Sequence, residues 1–302
     1  MADRPHTHSH DHAHTPVDFG RAFAIGIALN VGFVLVEVIF GFLANSMSLL
    51  ADAGHNLSDV IGLVLAWAAA MMAKRAASPR FTYGLKKAPI LAALGNALLL
   101  LIAVGAIGAE AVRRFWHPSV TEGGTVTIVA AAGILVNGAT ALLFARGSRR
   151  DINVRGAYFH MAADALVSIA VVIAGLAIMA TGLDWIDPAM SLAVAVVILW
   201  GGIGLLKESV WMSLAGVPSG IDAGEVETAL AQIEGVDGVH DLHIWPLSTT
   251  ETALTAHIVT AQADYPDALL ESARSMLHER FRIEHCTIQV ERHHSPHHND
   301  CC

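Results

Sequence analysis

Polar residues interrupt this chain so seldom that its apolar stretches can be measured as spans. Residues 88–109, 123–145 and 188–206 contain no Asp, Glu, Lys or Arg, giving runs of 22, 23 and 19 residues. Three further runs, 22–51, 53–73 and 156–183, each carry one acidic residue: Glu37, Asp59 and Asp164. About 20 mostly apolar residues in a helix cross a bilayer. The pattern therefore predicts six transmembrane helices within residues 21–215. After Gly216-Val217-Pro218-Ser219-Gly220, a turn-rich linker, the periodicity changes. Asp222, with Glu225 three residues on, predicts a capped helix whose apolar face is Val226, Ala229, Leu230 and Ile233. Alternating runs at 238–246 and 253–260, parted by Ser248-Thr249-Thr250-Glu251, predict two strands. A second amphipathic helix through Leu269, Leu270, Ala273, Met276 and Leu277 leads to a last strand around 285–291. The reading is an α-helical polytopic membrane protein, six transmembrane helices followed by a small α+β domain at 216–292 in the order α-β-β-α-β.

Composition narrows the class. The chain is 54% hydrophobic and 15% charged, against about 25% charged in a soluble domain. A soluble enzyme, a nucleic-acid binder and a β-barrel are all excluded by that balance and by the long helical runs. The formal net charge is −9, and thirteen acidic residues against four arginines between Ile221 and Arg292 account for all of it. Lys and Arg orient the bundle. Arg21, Lys74, Arg75, Arg80, Lys86, Lys87, Arg146, Arg149, Arg150, Arg155 and Lys207 fall on one side, and only Arg113 and Arg114 on the other. Eleven against two places both termini and the small domain in the cytoplasm by the positive-inside rule. Trp116 and Trp185 then mark the outer interface. The first twenty residues lack an apolar core, so no cleavable signal peptide is expected. Cys286, Cys301 and Cys302 suggest no disulfide framework.

Chemistry enters with two matching motifs. His55-Asn56-Leu57-Ser58-Asp59 lies on the second helix and His160-Met161-Ala162-Ala163-Asp164 on the fifth. A spacing of four puts His and Asp on one helical face, one turn apart. Two such faces together offer two imidazole nitrogens and two carboxylate oxygens, a set that fits tetrahedral Zn²⁺ and also tolerates Co²⁺ or Cd²⁺. Ionisable groups inside a span are costly and usually functional. The plainer reading, a polar pair that fastens helices, explains one motif more easily than two. The charge-free runs place His55 near an outer end and His160 near an inner end, so the helices must extend beyond those runs for the four to meet. Glu37 and Asn30 share a face of the first helix, and Asn137 is central in the fourth; each reads as support for the site, a proton relay or an interhelical hydrogen bond. Asp52 reads as an access-path residue, a helix cap or an interfacial carboxylate.

These residues resemble the cation diffusion facilitator family, in particular its bacterial zinc-type members. The resemblance rests on Ser48-Leu49-Leu50-Ala51-Asp52-Ala53-Gly54-His55 through Asp59, on Phe81-Thr82-Tyr83-Gly84, on the second H-x-x-x-D, and on Val239-His240-Asp241-Leu242-His243-Ile244-Trp245. It implies His55, Asp59, His160 and Asp164 as transport-site ligands, a ferredoxin-like cytoplasmic domain, a homodimer in a bacterial inner membrane, and exchange of Zn²⁺ for protons. In the cytoplasmic domain it favours His240, His257 and Glu291, with Glu284 or His285 supplying another ligand. Strand alternation puts His240 and His243 on opposite faces unless the strand bends, and His243 and His278 read as surface histidines. Cys286 and the Cys301-Cys302 pair are candidate thiolates. The family often has an acid two residues after the basic residue that opens the third helix. Here Lys87-Ala88 is followed by Pro89, leaving Glu208 as the partner for Lys87.

The ends are histidine tails, residues 1–20 with His6, His8, His10, His12 and His14, and residues 293–302 with His293, His294, His297 and His298. They are too polar to fold alone, and imidazoles at that density hold Zn²⁺ or Ni²⁺ weakly. The expected function is a secondary transporter exporting Zn²⁺ for protons, with Zn²⁺ as cargo, the lipid bilayer as surroundings, and no cofactor. A membrane metal sensor and an intramembrane metalloenzyme are the alternatives. No phosphate-binding P-loop and no H-E-x-x-H helix occurs in the sequence.

Overall fold

The computed structural model describes residues 20–117, 119–145, 152–261 and 267–292. Its first six elements are α1 (Gly20–Leu43), α2 (Met47–Ala73), α3 (Ala88–Trp116), α4 (Gly123–Ala145), α5 (Ile152–Thr181) and α6 (Ile186–Ser213). Five are long and apolar enough to cross a membrane over their described residues, and α1 contributes the apolar stretch Ile27–Leu43. Large apolar side chains face outward, among them Leu35, Phe42, Trp67, Ile102, Leu135 and Trp200. Glu37, Asp52, Asn137, Asp164, Ser168 and Ser191 are buried instead. Lipid favours that inversion, because polar groups then find partners only inside the protein. The chain is a multi-pass membrane protein.

The closest helix pairs are α4 with α5 and α3 with α6, and α2 packs on both α1 and α3. Glycine permits the first of these: a Cβ on Gly123 would stand 2.8 Å from the Gly175 carbonyl oxygen. Both α2 and α5 continue past the charge-free runs, which removes the depth conflict anticipated for His55 and His160. Each histidine is eight residues, about 12 Å, from the start of its helix, and the two helices run in opposite directions.

The start of α2 is fastened from several sides. Ser46 is its N-cap, accepting from the Leu49 N–H at 3.3 Å. Asp187, buried in the first turn of α6, accepts from the hydroxyls of Ser46 and Ser48 at 2.6 Å each and from the Met47 and Ser48 N–H groups at 2.6 and 3.2 Å. Asn45, at φ 52°, is held by the Arg114 guanidinium through its carbonyl at 2.5 Å and its side-chain oxygen at 2.7 Å. Asp52 is therefore not the helix cap; it lies a turn inside α2 and is buried.

Beyond α6 the chain turns at Ala215, φ 60°, where the Trp211 indole N–H donates to the Val217 carbonyl at 2.8 Å. Then follow α7 (Ala223–Ala231), β1 (Gly238–Pro246), β2 (Thr252–Val259), α8 (Asp267–Phe281) and β3 (His285–Glu291). Asp222 caps α7 as expected, accepting from Glu225 N–H at 3.0 Å. The sheet order is β1-β2-β3, with β1 antiparallel and β3 parallel to β2. Val226 and Leu230 of α7 and Leu269, Ala273 and Leu277 of α8 pack on Ile244, Leu254, Ala256 and Ile258 of the sheet. Lys86, in the α2–α3 connection, pairs with Glu251 of the β1–β2 turn. The Lys87–Glu208 pair does not form among the described residues; the ion pair from this connection is made by its neighbour Lys86, which reaches the small domain. Both histidine tails apart from Gly20, with Cys301 and Cys302, lie outside the described residues, as do Arg146, Arg149 and Arg150.

Candidate metal centre

Because α2 and α5 are antiparallel, each H-x-x-x-D motif meets the other head to tail. His160 Nε2 is 3.1 Å from Asp59 Oδ2, and His55 Nε2 is 3.6 Å from Asp164 Oδ1. Along each helix, His55 lies 3.6 Å from Asp59 and His160 lies 3.7 Å from Asp164. The two rings stand edge to face, with centroids 5.8 Å apart. A tetrahedral ion with arms of about 2.0–2.1 Å separates its ligands by about 3.4 Å. The four His–carboxylate contacts bracket that value; His55, His160 and Asp164 offer ligand atoms that all lie within 4.8 Å of one another, and Asp59 stands beside them against His160. Exposure is graded: His160 is 40% exposed, Asp59 32%, His55 20% and Asp164 3%. Asp59 and His160, the more exposed pair, are the members nearer the C-terminal end of α2 and the N-terminal end of α5, while Asp164 is shut in.

A polar surround continues past the four. Asn56, next to His55, donates to Glu37 Oε2 at 3.1 Å. Asn30 donates to the Met161 sulfur at 3.5 Å, beside His160. Asn137 is fully buried, and its amide makes no hydrogen bond among the described residues.

The second cluster lies in the small domain. His240 pairs with His257 across β1 and β2, and Glu291 ends β3 beside them. Glu291 Oε2 is 3.2 Å from His240 Nε2, and Oε1 is 3.0 Å from His257 Nδ1. Burial alone would raise the Glu291 carboxyl, but hydrogen bonds from Gln289 and His240 and the nearby His257 hold it below the usual carboxylate range. His285 does not join this group. It sits opposite Ala253 while Glu291 sits opposite Val259, so six residues of strand, about 20 Å, part them. His285 instead packs against Tyr83, ring centroids 5.2 Å apart, and lines a hollow with His278, Glu284 and Cys286.

Asp241 is the site residue that sequence reasoning missed. A β-bulge follows His240, and Asp241 takes φ 52°. Its carboxylate reaches His243 Nε2 at 3.0 Å and His257 Nε2 at 3.6 Å. The bulge is the bend that strict alternation needed to bring His240 and His243 to one region, and the signal was the Asp between two histidines.

A helical bundle with two His and two Asp at its centre, carrying an acidic α+β domain with its own His-carboxylate group, defines a metal-handling membrane protein of the transporter type. The chain belongs to the cation efflux family. The model described as cation efflux transmembrane domain matches residues 23–212, and that described as cation efflux protein, cytoplasmic domain, matches 218–293. The zinc transporter ZitB of Escherichia coli (strain K12) is 37% identical over 289 residues, covering 95% of this chain and 92% of the relative. The metal cation efflux system protein CzcD of Cupriavidus metallidurans is 36% identical over 285 residues, 94% and 89% of the two chains. A cadmium, cobalt and zinc/H(+)-K(+) antiporter of Bacillus subtilis (strain 168) is 34% identical over 285 residues, 93% and 91%. A solved metal-bound C-terminal domain of the CzcD transporter is 40% identical, covers 24% of this chain and 99% of that one, and has a TM-score of 0.23.

Proposed function

We propose that this protein exports Zn²⁺ from the cytoplasm in exchange for protons, and that His55, Asp59, His160 and Asp164 bind the ion in transit. The observation that carries the reading is the cross-helix closure of the two motifs: each histidine lies 3.1–3.7 Å from both aspartates, and His55, His160 and Asp164 form one cluster of possible ligand atoms. Such a set suits Zn²⁺ and accommodates Co²⁺ or Cd²⁺. A metal ion requires neutral imidazoles and ionised carboxylates, so protons and metal compete for the same atoms. Residues 21–215 then form the moving membrane part, and both termini, with the domain at 216–292, lie in the cytoplasm. There His240, His257 and Glu291 bind Zn²⁺ and draw the two subunits of a homodimer together. Relatives named for zinc transport and for metal/H(+)-K(+) antiport support the cargo and the exchange. The test is Zn²⁺ uptake into proteoliposomes under an imposed pH gradient. Uptake should follow the gradient and disappear in Asp164→Ala; uptake indifferent to pH would remove protons from the cycle.

A further inference from the structure

The bundle and the small domain leave a hollow of about 960 Å³ between them, lined by none of the proposed metal ligands. One wall is the end of α6, where Lys207, Glu208 and Trp211 share a face at helical spacing. The other is the small domain, through the β1–β2 turn and Arg282 at the end of α8. The charge-free run of α6 ends at Leu206, so Lys207 stands where the helix leaves the hydrocarbon. On the same margin Trp211 is 58% exposed and Leu214 78%. The Trp211 ring is held in place. Its N–H donates to the Val217 carbonyl at 2.8 Å, and a Cβ on Gly216 would come within 2.4 Å of its nitrogen. A fixed, exposed indole beside an exposed leucine at this depth is a surface for acyl chains.

Charge gives the hollow its selectivity. The side chains of Lys207 and Arg282 make no hydrogen bond or ion pair among the described residues. Arg282 ends α8 in the left-handed region, φ 55°, its N–H donating to the His278 carbonyl at 3.0 Å. Glycine or asparagine ordinarily fills that position; here it carries a guanidinium at the edge of the hollow. Two acids line the hollow as well. Glu251 is neutralised by Lys86, and Glu208 makes no ion pair among the described residues. Two cations against one uncompensated carboxylate leave a single positive charge. The rest of the domain is acidic, Arg282 being one of four arginines against thirteen acids, so an anionic membrane surface repels most of it.

We propose that an anionic phospholipid binds in this hollow, its phosphate held by Lys207 and Arg282 and its acyl chains along Trp211 and Leu214, and so joins the small domain to the end of α6. Basic hollows beside membrane helices suit such headgroups. A phosphodiester with an uncharged headgroup, as in phosphatidylglycerol, brings one negative charge and matches the hollow. Phosphatidylethanolamine adds an ammonium group and cancels the match. Free phosphate carries the charge but offers nothing to the apolar margin. The site needs the bundle in a bilayer and is independent of which ion the bundle moves.

The test uses the full chain in mixed micelles. The thermal midpoint is followed as phosphatidylglycerol replaces phosphatidylcholine, and native mass spectrometry counts the lipid retained. Wild type should keep one phosphatidylglycerol per subunit, and its midpoint should rise with the phosphatidylglycerol fraction. Lys207→Gln and Arg282→Gly should each raise the fraction needed for half the effect about fivefold, the scale of one cation at a membrane surface. Glycine suits φ 55°, so Arg282→Gly does not put the fold at risk. Arg75→Gln removes an exposed cation just past α2, outside the hollow, and should behave as wild type. An equal loss in Arg75→Gln would reduce the effect to general surface charge and overturn the site. An equal response to phosphatidylethanolamine, or to inorganic phosphate without added lipid, would overturn it too, as would wild-type behaviour of both hollow variants.

Discussion

His160 Nε2 stands closer to Asp59 of the opposite helix, at 3.1 Å, than to Asp164 of its own, at 3.7 Å. The strongest contact in the metal group is therefore between helices. Replacing Asp59 by Asn should lower Zn²⁺ affinity at least about tenfold, since even outer partners of metal ligands commonly carry that much. Equilibrium binding to detergent-solubilised protein checks it, and unchanged affinity would remove Asp59 from the ligand set.

Exchanging a nitrogen for an oxygen should alter which ion moves. His55→Asp gives one nitrogen and three oxygens, a set that favours harder ions. Zn²⁺ flux should fall and Mn²⁺ flux rise relative to wild type, measured side by side in the same vesicles. Equal scaling of both fluxes would mean that His55 does not select.

The buried Asp187 carboxylate collects four hydrogen bonds from the first residues of α2. Its loss should leave several buried donors without a partner, at about 1–3 kcal/mol for each group stranded. Asp187→Ala should lower the thermal midpoint of the purified protein by several degrees, with Asp187→Asn in between. A midpoint equal to wild type would show that α2 does not depend on this anchor.

In metal-free protein Glu291 should give a definite pH signature. Its folded-state value lies below the unfolded one, which for a glutamate is about 4.3. A depressed carboxylate stabilises the fold above the unfolded value, and that contribution is lost as pH falls through the folded value. Hydrogen exchange of β2 and β3 should thus be slower in wild type than in Glu291→Gln at neutral pH. The gap should hold as pH falls to about 4.3 and close only below it. A gap that closed already near neutrality would contradict the assignment.

Much of this was legible in the sequence because it depends on local spacing. Each H-x-x-x-D pair is made by one helix, so its geometry follows from 3.6 residues per turn. Asp222 and Glu225 are likewise three residues apart, and their cap is as read. Contacts set by tertiary packing were not legible. Asp187 caps a helix that begins 140 residues earlier. Glu37 and Asn56 lie on different helices, and nothing in their spacing says that the Asn56 amide donates to the Glu37 carboxyl. His285 was grouped with Glu291 on the family resemblance alone; the parallel register with β2 places the two at opposite ends of β3. Asp241 was passed over because alternation assumes a regular strand, and a single left-handed residue broke it.

Since α2 and α5 each contribute one nitrogen and one oxygen, neither helix alone is a strong chelator. The helices meet over only a short stretch. A separation of a few ångströms would turn a four-point clasp into two weak bidentate halves, as coordination bonds of about 2 Å do not stretch. In the proposed transport site, affinity is thus a mechanical variable. Whatever shifts one helix against the other would set how tightly the ion is held, in addition to the competition from protons.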